Sequence, residues 1–253
     1  MKSIIYFLLI SLTTMACTIE AGNIPTPDDT DSHPGKVEKG IVKGRVTDSN
    51  NKPIANAKIV ANSLDYADAR IGYTDANGNY SIKLPTGIGS GSFYVRGSVK
   101  VKYNGQNYDL ALFTENDGQF SPYDGAIKNL TLKLTGKRTG NFGDDGFYGG
   151  TIEILHDFDN LEVENIEVTL VPDGPLVDGS AGHTLVRRVA ANDYHIYDVA
   201  VGKYKIMAKD VSTGKKLKVK VRYDEKDYSD STTGIFIPPY ELAEHYELTL
   251  LIK

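Results

Sequence analysis

Apolar and polar residues alternate in short segments along most of the chain beyond residue 40, and a period of two is typical of half-buried β-strands. In the segment 40–47, Val42 and Val46 share one face, whereas Lys43 and Arg45 share the other. No later segment up to residue 134 shows the sustained period of 3.6 residues that a helix would require. The pattern therefore predicts a chain built of short strands.

Turn signals separate the alternating segments and set the limits of the predicted strands. Asn104-Gly105 lies between two such segments, and an Asn-Gly pair supplies the positive φ angles of a tight hairpin turn. The strands predicted up to residue 134 are 40–47, 56–61, 80–84, 93–95, 99–103, 108–113 and 127–134. Those predicted beyond it are 149–155, 165–170, 193–196, 204–208, 216–221, 235–237 and 245–253.

The pattern restarts after a glycine-rich break at residues 135–148. An internal repeat of this kind indicates two copies of one fold. We therefore predict an all-β protein with two tandem β-sandwich domains, Ig-like or transthyretin-like, at residues 40–135 and 148–253. The later segments that echo earlier ones are 149–155 after 40–47, 165–170 after 56–61, and 193–196 after 79–82.

The N-terminal segment predicts a bacterial lipoprotein signal. Lys2 precedes an apolar run at residues 4–10, which is far shorter than the ~20 apolar residues of a membrane-spanning helix. The sequence Thr14-Met15-Ala16-Cys17 then resembles the lipobox of bacterial lipoproteins. That resemblance implies removal of residues 1–16 and lipidation of Cys17. The alternative is an ordinary secretory signal with an incidental cysteine.

Residues 17–39 are predicted to form a flexible tether between the lipid and the first sandwich. This segment contains three prolines and several aspartates but almost no large apolar residues, so it cannot bury a core. Residue 18 is Thr rather than the Asp that the lipoprotein sorting rule associates with retention in the inner membrane. An outer-membrane location is therefore expected, on either the periplasmic face or the cell-surface face.

Composition and charge exclude several classes of protein. The 28 basic and 33 acidic residues give a net charge of −5, and no basic tract is present, so binding to nucleic acid is not expected. A single cysteine forms neither an internal disulfide nor a Cys-based zinc site. The 25 glycines and 16 tyrosines, without any tryptophan, agree with many turns and aromatic strands.

Four short motifs in the first copy resemble the carboxypeptidase regulatory-like domain, also called the peptidase-associated domain. This resemblance covers about residues 40–134 and implies a seven-stranded, transthyretin-like β-sandwich, whereas the second copy resembles the family only faintly. The motifs are Gly-Arg-Val-Thr-Asp at 44–48, Lys-Pro-Ile-Ala-Asn-Ala-Lys-Ile-Val at 52–60, Thr-Asp-Ala-Asn-Gly-Asn-Tyr at 74–80, and Leu84-Pro85 with Gly87.

The peptidase activity that gives the family its name does not follow from this resemblance. In those enzymes the domain is an appendage to a separate zinc peptidase, and zinc catalysis needs three protein ligands with an open position for water. The chain has no H-x-x-E or H-E-x-x-H motif, and its five histidines are scattered at 33, 156, 183, 195 and 245. We therefore expect a protein that is not an enzyme and carries no catalytic metal or cofactor. The acidic cluster Asp157, Asp159 and Glu162 is expected to be a solvated loop, with a weak calcium site as the alternative.

Tyrosines in predicted loops or at strand ends are the strongest candidates for ligand contact. Tyrosine makes a broad contact surface at low entropic cost, although it also serves in cross-strand packing. The main hypothesis is an accessory, protein-interaction module of the cell envelope, and the alternative is a surface carbohydrate-binding protein that uses these tyrosines. The candidate contacts are Tyr66, Tyr73, Tyr103, Tyr108 and Tyr123.

Overall fold

The computed structural model describes residues 35–65, 68–156, 161–238 and 245–253. The predicted signal peptide, Cys17, most of the predicted tether, Tyr66, Asp157 and Asp159 lie outside these residues. The described part of the chain is nearly all β-structure, which confirms the predicted fold class. Within it, no helix has the length and apolar character needed to cross a membrane.

Seventeen strands and two short 3-10 helices make up the described secondary structure. The N-terminal half contains β1 Ile41–Thr47, β2 Lys58–Ser63, β3 Ala69–Tyr73, β4 Asn79–Lys83, β5 Phe93–Tyr103, β6 Gln106–Thr114, β7 Ala126–Ile127 and β8 Leu130–Leu132. The C-terminal half contains β9 Gly150–His156, β10 Ile166–Pro172, β11 Leu185–Arg188, β12 His195–Val199, β13 Lys203–Asp210, β14 Lys216–Leu217, β15 Val219–Val221, β16 Thr232–Ile235 and β17 Glu247–Ile252. The 3-10 helices are Asn141–Gly143 and Val163–Asn165.

The N-terminal half is a sandwich whose two layers are joined by β8. One layer has the order β3-β2-β5-β6, and the other contains β1, β4 and the short β7. Strand β8 pairs antiparallel with β6 and parallel with β1, so it closes one side of the sandwich. The core is filled by the inward side of each alternating strand, including Val42 and Val46 of β1 and Ile59 of β2.

A glycine at position 44 permits a close approach between β1 and the segment that enters β8. A Cβ atom at Gly44 would lie 1.9 Å from the main-chain oxygen of Lys128 and 2.9 Å from the ring of Tyr80. The Tyr80 hydroxyl donates a hydrogen bond to that same Lys128 oxygen at 2.6 Å. The glycine of the first family-like motif is thus explained by packing at a crowded strand crossing.

The C-terminal half repeats the strand pairing of the N-terminal half. Strand β9 pairs antiparallel with β12 and parallel with β17, as β1 pairs with β4 and β8. Strand β10 lies between β11 and β13, as β2 lies between β3 and β5. The position of β6 is shared by β14, which pairs with β13, and β15, which pairs with β17. The pairing supports the predicted internal repeat, while the exact domain limits stay a prediction.

Two strands lacked a signal in the sequence because they lie at sheet edges. Strands β3 and β11 are exposed along nearly their whole length, so neither shows the alternation that burial of one face produces. The sequence pattern also divided one strand into two: the strands predicted at 93–95 and 99–103 are a single strand, β5, of 11 residues. The strand predicted at 235–237 lies earlier, at Thr232–Ile235.

The strand predicted at 127–134 is divided into β7 and β8 by two polar side chains. Lys128 turns inward, and its backbone N–H donates to the Lys43 oxygen. The side-chain oxygen of Asn129 then accepts the backbone N–H of Arg45 at 3.0 Å. A side chain therefore takes the place of a main-chain acceptor, and the regular ladder is interrupted there.

Tyrosine hydroxyls join the two halves of the molecule. The hydroxyl of Tyr108 donates to the main-chain oxygen of Phe236 at 2.7 Å. In return, the backbone N–H of Asp109 donates to the hydroxyl of Tyr246 at 2.6 Å. The rings of Tyr108 and Tyr246 lie 5.0 Å apart, and one apolar cluster continues through both halves. Apolar packing and directed hydrogen bonds thus act together at this interface.

Tyr103 makes the second connection between the halves. Its hydroxyl donates to the main-chain oxygen of Pro175 at 2.7 Å and accepts the backbone N–H of Lys203 at 2.9 Å. Tyr103 lies opposite Gln106 and Tyr108 lies opposite Val101, so both stand near the turn of the β5–β6 hairpin, and their ring centroids are 6.0 Å apart. A single hairpin therefore supplies both contacts. The structure therefore assigns these two tyrosines to the interface, which the predicted role in ligand contact did not anticipate.

We predict that Tyr108→Phe lowers the free energy of unfolding by about 1–2 kcal/mol, because it leaves a buried main-chain oxygen without its donor. The side chain is only 1% exposed, so water cannot replace the lost hydroxyl without rearrangement. The matched control is Tyr223→Phe, at a tyrosine that is 86% exposed. Urea denaturation followed by tyrosine fluorescence measures both variants, and equal stability of the two would contradict the interpretation.

The same variant has an expected signature at alkaline pH. Burial, with smaller effects from Tyr103 and Tyr246, raises the pKa of Tyr108 from 10.0 to about 12. The stability that the protonated Tyr108 contributes to the folded state is thus fully present below pH 10 and is lost as the pH rises toward 12. Burial also raises the pKa of Tyr148 and Tyr204 to about 12, so Tyr108→Phe should reduce the alkaline loss of stability without abolishing it.

Candidate functional site

The segment predicted as a break between the two copies is an ordered hairpin. Lys137 and Phe147 form an antiparallel bridge, and the backbone N–H of Arg138 donates to the Gly146 oxygen at 2.9 Å. The backbone N–H of Tyr148 donates to the oxygen of Gly136 at 2.9 Å. We refer to residues 136–148 as the linker hairpin.

The base of the linker hairpin is held by Asp198 of β12. Both carboxylate oxygens of Asp198 accept the backbone N–H of Gly136, at 2.8 and 2.9 Å, and one also accepts that of Gly149 at 3.2 Å. Asp198 has a φ angle of 58°, at a register shift in the pairing of β12 with β9. Aspartate is among the few non-glycine residues that tolerate this left-handed conformation, and here it directs a carboxylate at two N–H groups.

The tip of the linker hairpin is held by β5 of the N-terminal half. The guanidinium of Arg96 donates to the main-chain oxygens of Phe142 and Asn141. The rings of Phe142 and Tyr94 stack with their centroids 4.2 Å apart and an angle of 14° between their planes. The side-chain amide of Asn141 donates to the Asp117 carboxylate at 2.8 Å. The hairpin therefore bridges the two halves of the molecule.

A groove of about 370 Å³ lies between the linker hairpin and the outer face of β2, β5 and β6. This volume falls within the range of small-molecule sites in proteins. Outward-facing residues of the three strands and the buried Val95, Leu112 and Thr114 form its floor, and residues 138–144 form one wall. The groove is lined by three basic side chains and three acidic ones. These are Lys58, Arg96 and Arg138, and Asp109, Asp117 and Asp144.

Most charges in the groove are already paired within the protein. Arg138 and Asp144 form an ion pair at 3.1 Å across the hairpin. Burial raises the pKa of Asp117, but hydrogen bonds from Thr139 and Asn141 and the charge of Lys128 outweigh it, so the pKa lies below its ordinary value. Asp117 therefore carries its negative charge at neutral pH and holds the hairpin tip through that charge.

Lys128 positions the loop that carries Asp117. Its side chain is only 4% exposed, and its ammonium group donates to the main-chain oxygens of Asn116 and Gly118, each at 2.7 Å. Burial lowers the pKa of Lys128, and the nearby charge of Asp117 opposes that effect. An inward-facing lysine thus fixes the loop after β6 by bonding to its carbonyl groups.

One end of the groove offers polar groups that the protein does not itself use. Lys58 and Ser98 are register partners on β2 and β5, and Asp109 stands on the outer face of β6. Within the described residues, the side chains of these three make no hydrogen bond or ion pair. An ammonium, a hydroxyl and a carboxylate are therefore available to a ligand at this end.

Comparison with known proteins relates the N-terminal half to one family. Residues 41–111 match the carboxypeptidase regulatory-like domain. The match runs from β1 into β6, less far than the predicted resemblance over about residues 40–134. It contains the groove floor at Lys58, Arg96 and Asp109 but not the linker hairpin. The groove thus combines this regulatory-like region with a segment outside it.

Solved structures similar to the chain share only 9–13% sequence identity with it. The Bacillus anthracis TIE protein is 13% identical with a TM-score of 0.34, over 85% of this chain and 34% of that one. A candidate carbohydrate-binding protein from Pseudomonas aeruginosa is 13% identical with a TM-score of 0.23, over 42% of this chain and 97% of that one. Shaft pilin SpaA from Lactobacillus rhamnosus GG is 11% identical with a TM-score of 0.26, over 85% of this chain and 97% of that one.

The chain spans about a third of the length of the Bacillus anthracis protein. No match was found among curated protein sequences. Similarity at these identities and TM-scores does not indicate a function.

Of the predicted tyrosines, Tyr103 and Tyr108 are in contact, with ring centroids 6.0 Å apart, but inside the molecule rather than at an open surface. Tyr66 lies outside the described residues, and Tyr103 and Tyr108 belong to the interface between the halves. Tyr73 is exposed on β3, and Tyr123 donates its hydroxyl to the Gly87 oxygen at 2.6 Å. Ligand contact at Tyr73 and Tyr123 stays a prediction, at positions separate from the groove.

The groove residues were missed because their signal is weak in the sequence. Tyr94, Arg96 and Ser98 alternate on the outer side of β5, a spacing that could have indicated one polar and aromatic face on that strand. Asp117 and Phe142 lie in turn-rich segments without any pattern. In the described part of the chain, no group of three or more His, Cys, Asp or Glu side chains is placed to hold a metal ion.

We predict that Arg96→Ala increases amide hydrogen exchange in residues 138–144 by about tenfold or more, because charge-assisted bonds of this kind contribute about 1.5–3 kcal/mol. The control is Arg70→Ala, at an exposed arginine of β3 that pairs with Asp68. Exchange measured by mass spectrometry should rise only in the first variant. An equal rate in both would show that Arg96 does not hold the tip.

Proposed function

We propose that the protein is a lipid-anchored, non-catalytic binding protein of the bacterial cell envelope. The observation that supports binding is the groove. The linker hairpin covers one face of the sheet there and leaves polar side chains without protein partners among the described residues at one end. Such a feature is not needed to complete the core, which lies on the other side of the same sheet. Function in this fold depends on the site rather than on the fold itself.

The chemistry of the groove favours binding without catalysis. Its lining contains no histidine or cysteine among the described residues, and Arg96, Arg138 and Asp117 are engaged in holding the hairpin. Nucleophilic catalysis needs a nucleophile and a general base within hydrogen-bond distance of each other, and no such pair of side chains is described in the groove. The arrangement instead resembles a recognition surface, with fixed charges and a few available polar groups.

Anchoring is proposed from the N-terminal sequence. Ala16 and Cys17 follow a short apolar run, and the only cysteine of the chain stands at the expected cleavage position. Several acyl chains at one site provide stable membrane attachment, which a single chain does not. Thr18 favours the outer membrane, and the segment that follows would hold the sandwiches away from the bilayer.

We predict that Cys17→Ala abolishes incorporation of an alkyne-labelled palmitate and releases the protein from the membrane fraction. Cys17 is the only cysteine, so no other thiol can accept the lipid. The control is Ser11→Ala in the same leader, which should retain both label and membrane attachment. Labelling that persists in the Cys17 variant would exclude the proposed anchor.

We predict that a photo-reactive phenylalanine at position 142 forms an adduct in intact cells, whereas one at Tyr223 does not. Phe142 borders the groove, while Tyr223 is an exposed aromatic residue away from it. The adduct is detected by a shift in mobility and identified by mass spectrometry. The absence of an adduct at position 142, or equal adducts at both positions, would contradict the assignment of the groove as the binding site.

A protein partner at the edge of β3 is the second candidate, and it corresponds to an accessory role in an envelope assembly. Strand β3 pairs with β2 alone among the described strands, and Ile71 and Tyr73 on it are 55% and 63% exposed. An open edge with apolar side chains can accept a strand from another chain. The same photo-reactive residue at Ile71 tests this candidate, and a protein adduct there alone would favour it.

A further inference from the structure

The groove is polar at one end and aromatic at the other. Ser98, Arg96 and Tyr94 face outward at successive alternate positions of β5. With a rise of about 3.4 Å per residue, the polar and aromatic ends lie about 14 Å apart along the strand. A ligand that uses both ends must therefore be elongated and must combine hydrogen-bonding groups with an apolar surface.

The balance of charge in the groove disfavours a charged ligand. An anionic ligand would meet the carboxylates of Asp109, Asp117 and Asp144, and a cationic ligand would meet the three basic groups. Arg138 and Asp144 already neutralise each other, and Asp117 is held by Asn141. Displacement of these pairs would leave charges unpaired in a partly buried site, which is costly.

The position of the groove also disfavours an extended peptide. Its floor is the face of β2, β5 and β6, where β5 pairs with β2 over Phe93–Ser98 and with β6 over Ser98–Tyr103. Peptides that add to a sheet do so at an open edge, where N–H and C=O groups lack partners. A ligand in the groove lies on the face of the sheet and meets mainly side chains, so we expect recognition to come from side chains.

The available side chains suit hydroxyl groups. A hydroxyl both donates and accepts hydrogen bonds, so a row of them can meet the Asp109 carboxylate, the Lys58 ammonium and the Ser98 hydroxyl together. At the other end, Phe142 is 36% exposed and rests on Tyr94. The exposed part of its ring can pack against an apolar C–H surface.

We propose that the groove binds an uncharged oligosaccharide, with Phe142 against a sugar ring and with Lys58, Ser98 and Asp109 bound to hydroxyl groups. This inference rests on the proposed function and names the ligand class of the same site. It replaces the loop tyrosines of the sequence-based alternative with residues of β2, β5, β6 and the linker hairpin.

The test is isothermal titration of the full chain, solubilised in detergent, with hexasaccharides of known charge. The neutral probes are fragments of starch, cellulose, mannan, xylan and β-1,3-glucan, and the charged probes are fragments of heparin and polygalacturonate. We expect saturable binding of at least one neutral probe, no binding of the charged probes, and little change in affinity with added salt, because no net charge is neutralised.

Two variants locate the binding. Phe142→Ala and Asp109→Asn should each weaken binding by about tenfold or more, since one lost contact of about 1.4 kcal/mol corresponds to that factor. The matched controls are Tyr223→Ala and Asp230→Asn, at exposed residues outside the groove lining, and they should bind as the unmodified protein does. Asp109→Asn keeps the test valid even if Phe142→Ala disturbs the hairpin.

Several outcomes would overturn the inference: no neutral probe bound at millimolar concentration, tighter binding of a charged probe, or binding that survives both groove variants. The failure of this inference differs from the failure of the proposed function. If the photo-reactive residue at position 142 captures a protein while every oligosaccharide fails to bind, the groove is still a binding site and only the ligand class is wrong. If neither experiment gives binding, both proposals fail.

Discussion

The period-of-two geometry of one strand, β5, is the constraint on which the rest of the structure depends. Its inward residues, including Phe93 and Val95, fill the N-terminal core, and its outward residues Tyr94 and Arg96 form the groove and hold the hairpin tip. Its last residue, Tyr103, bonds to the C-terminal half. Because successive side chains point to opposite faces, a shift of one residue in register would turn the core side chains of β5 toward the groove and its groove side chains into the core.

The need to pair buried charges explains the form of the groove. Asp198 binds N–H groups at the base of the linker hairpin, and Arg96 binds carbonyl oxygens at its tip. Lys128 and Asp117 are each satisfied by the loops they hold. A partly buried charge without partners is costly, so these side chains determine where the hairpin lies. The result is a groove with equal numbers of acidic and basic side chains, with Lys58, Ser98 and Asp109 left available at one end.

The two halves show that strand pairing can be retained where sequence motifs are not. The regulatory-like region carries the turn motifs and a glycine at position 44, which a close strand crossing requires. The C-terminal half has the same order of pairing, but the counterpart of β6 is divided into β14 and β15. A ladder needs alternating burial rather than particular residues, so the pairing tolerates wide changes in sequence.

The sequence by itself determined the all-β class, most of the central strands, the Asn104-Gly105 hairpin and the internal repeat, because alternation and turn chemistry are local properties. It did not reveal the edge strands β3 and β11, whose exposed faces leave no apolar pattern. Only the tertiary structure decided which tyrosines lie at the interface and which residues line the groove. Arg96 and Phe142 are 46 positions apart, and no local pattern specifies a contact that forms only when two distant segments pack together.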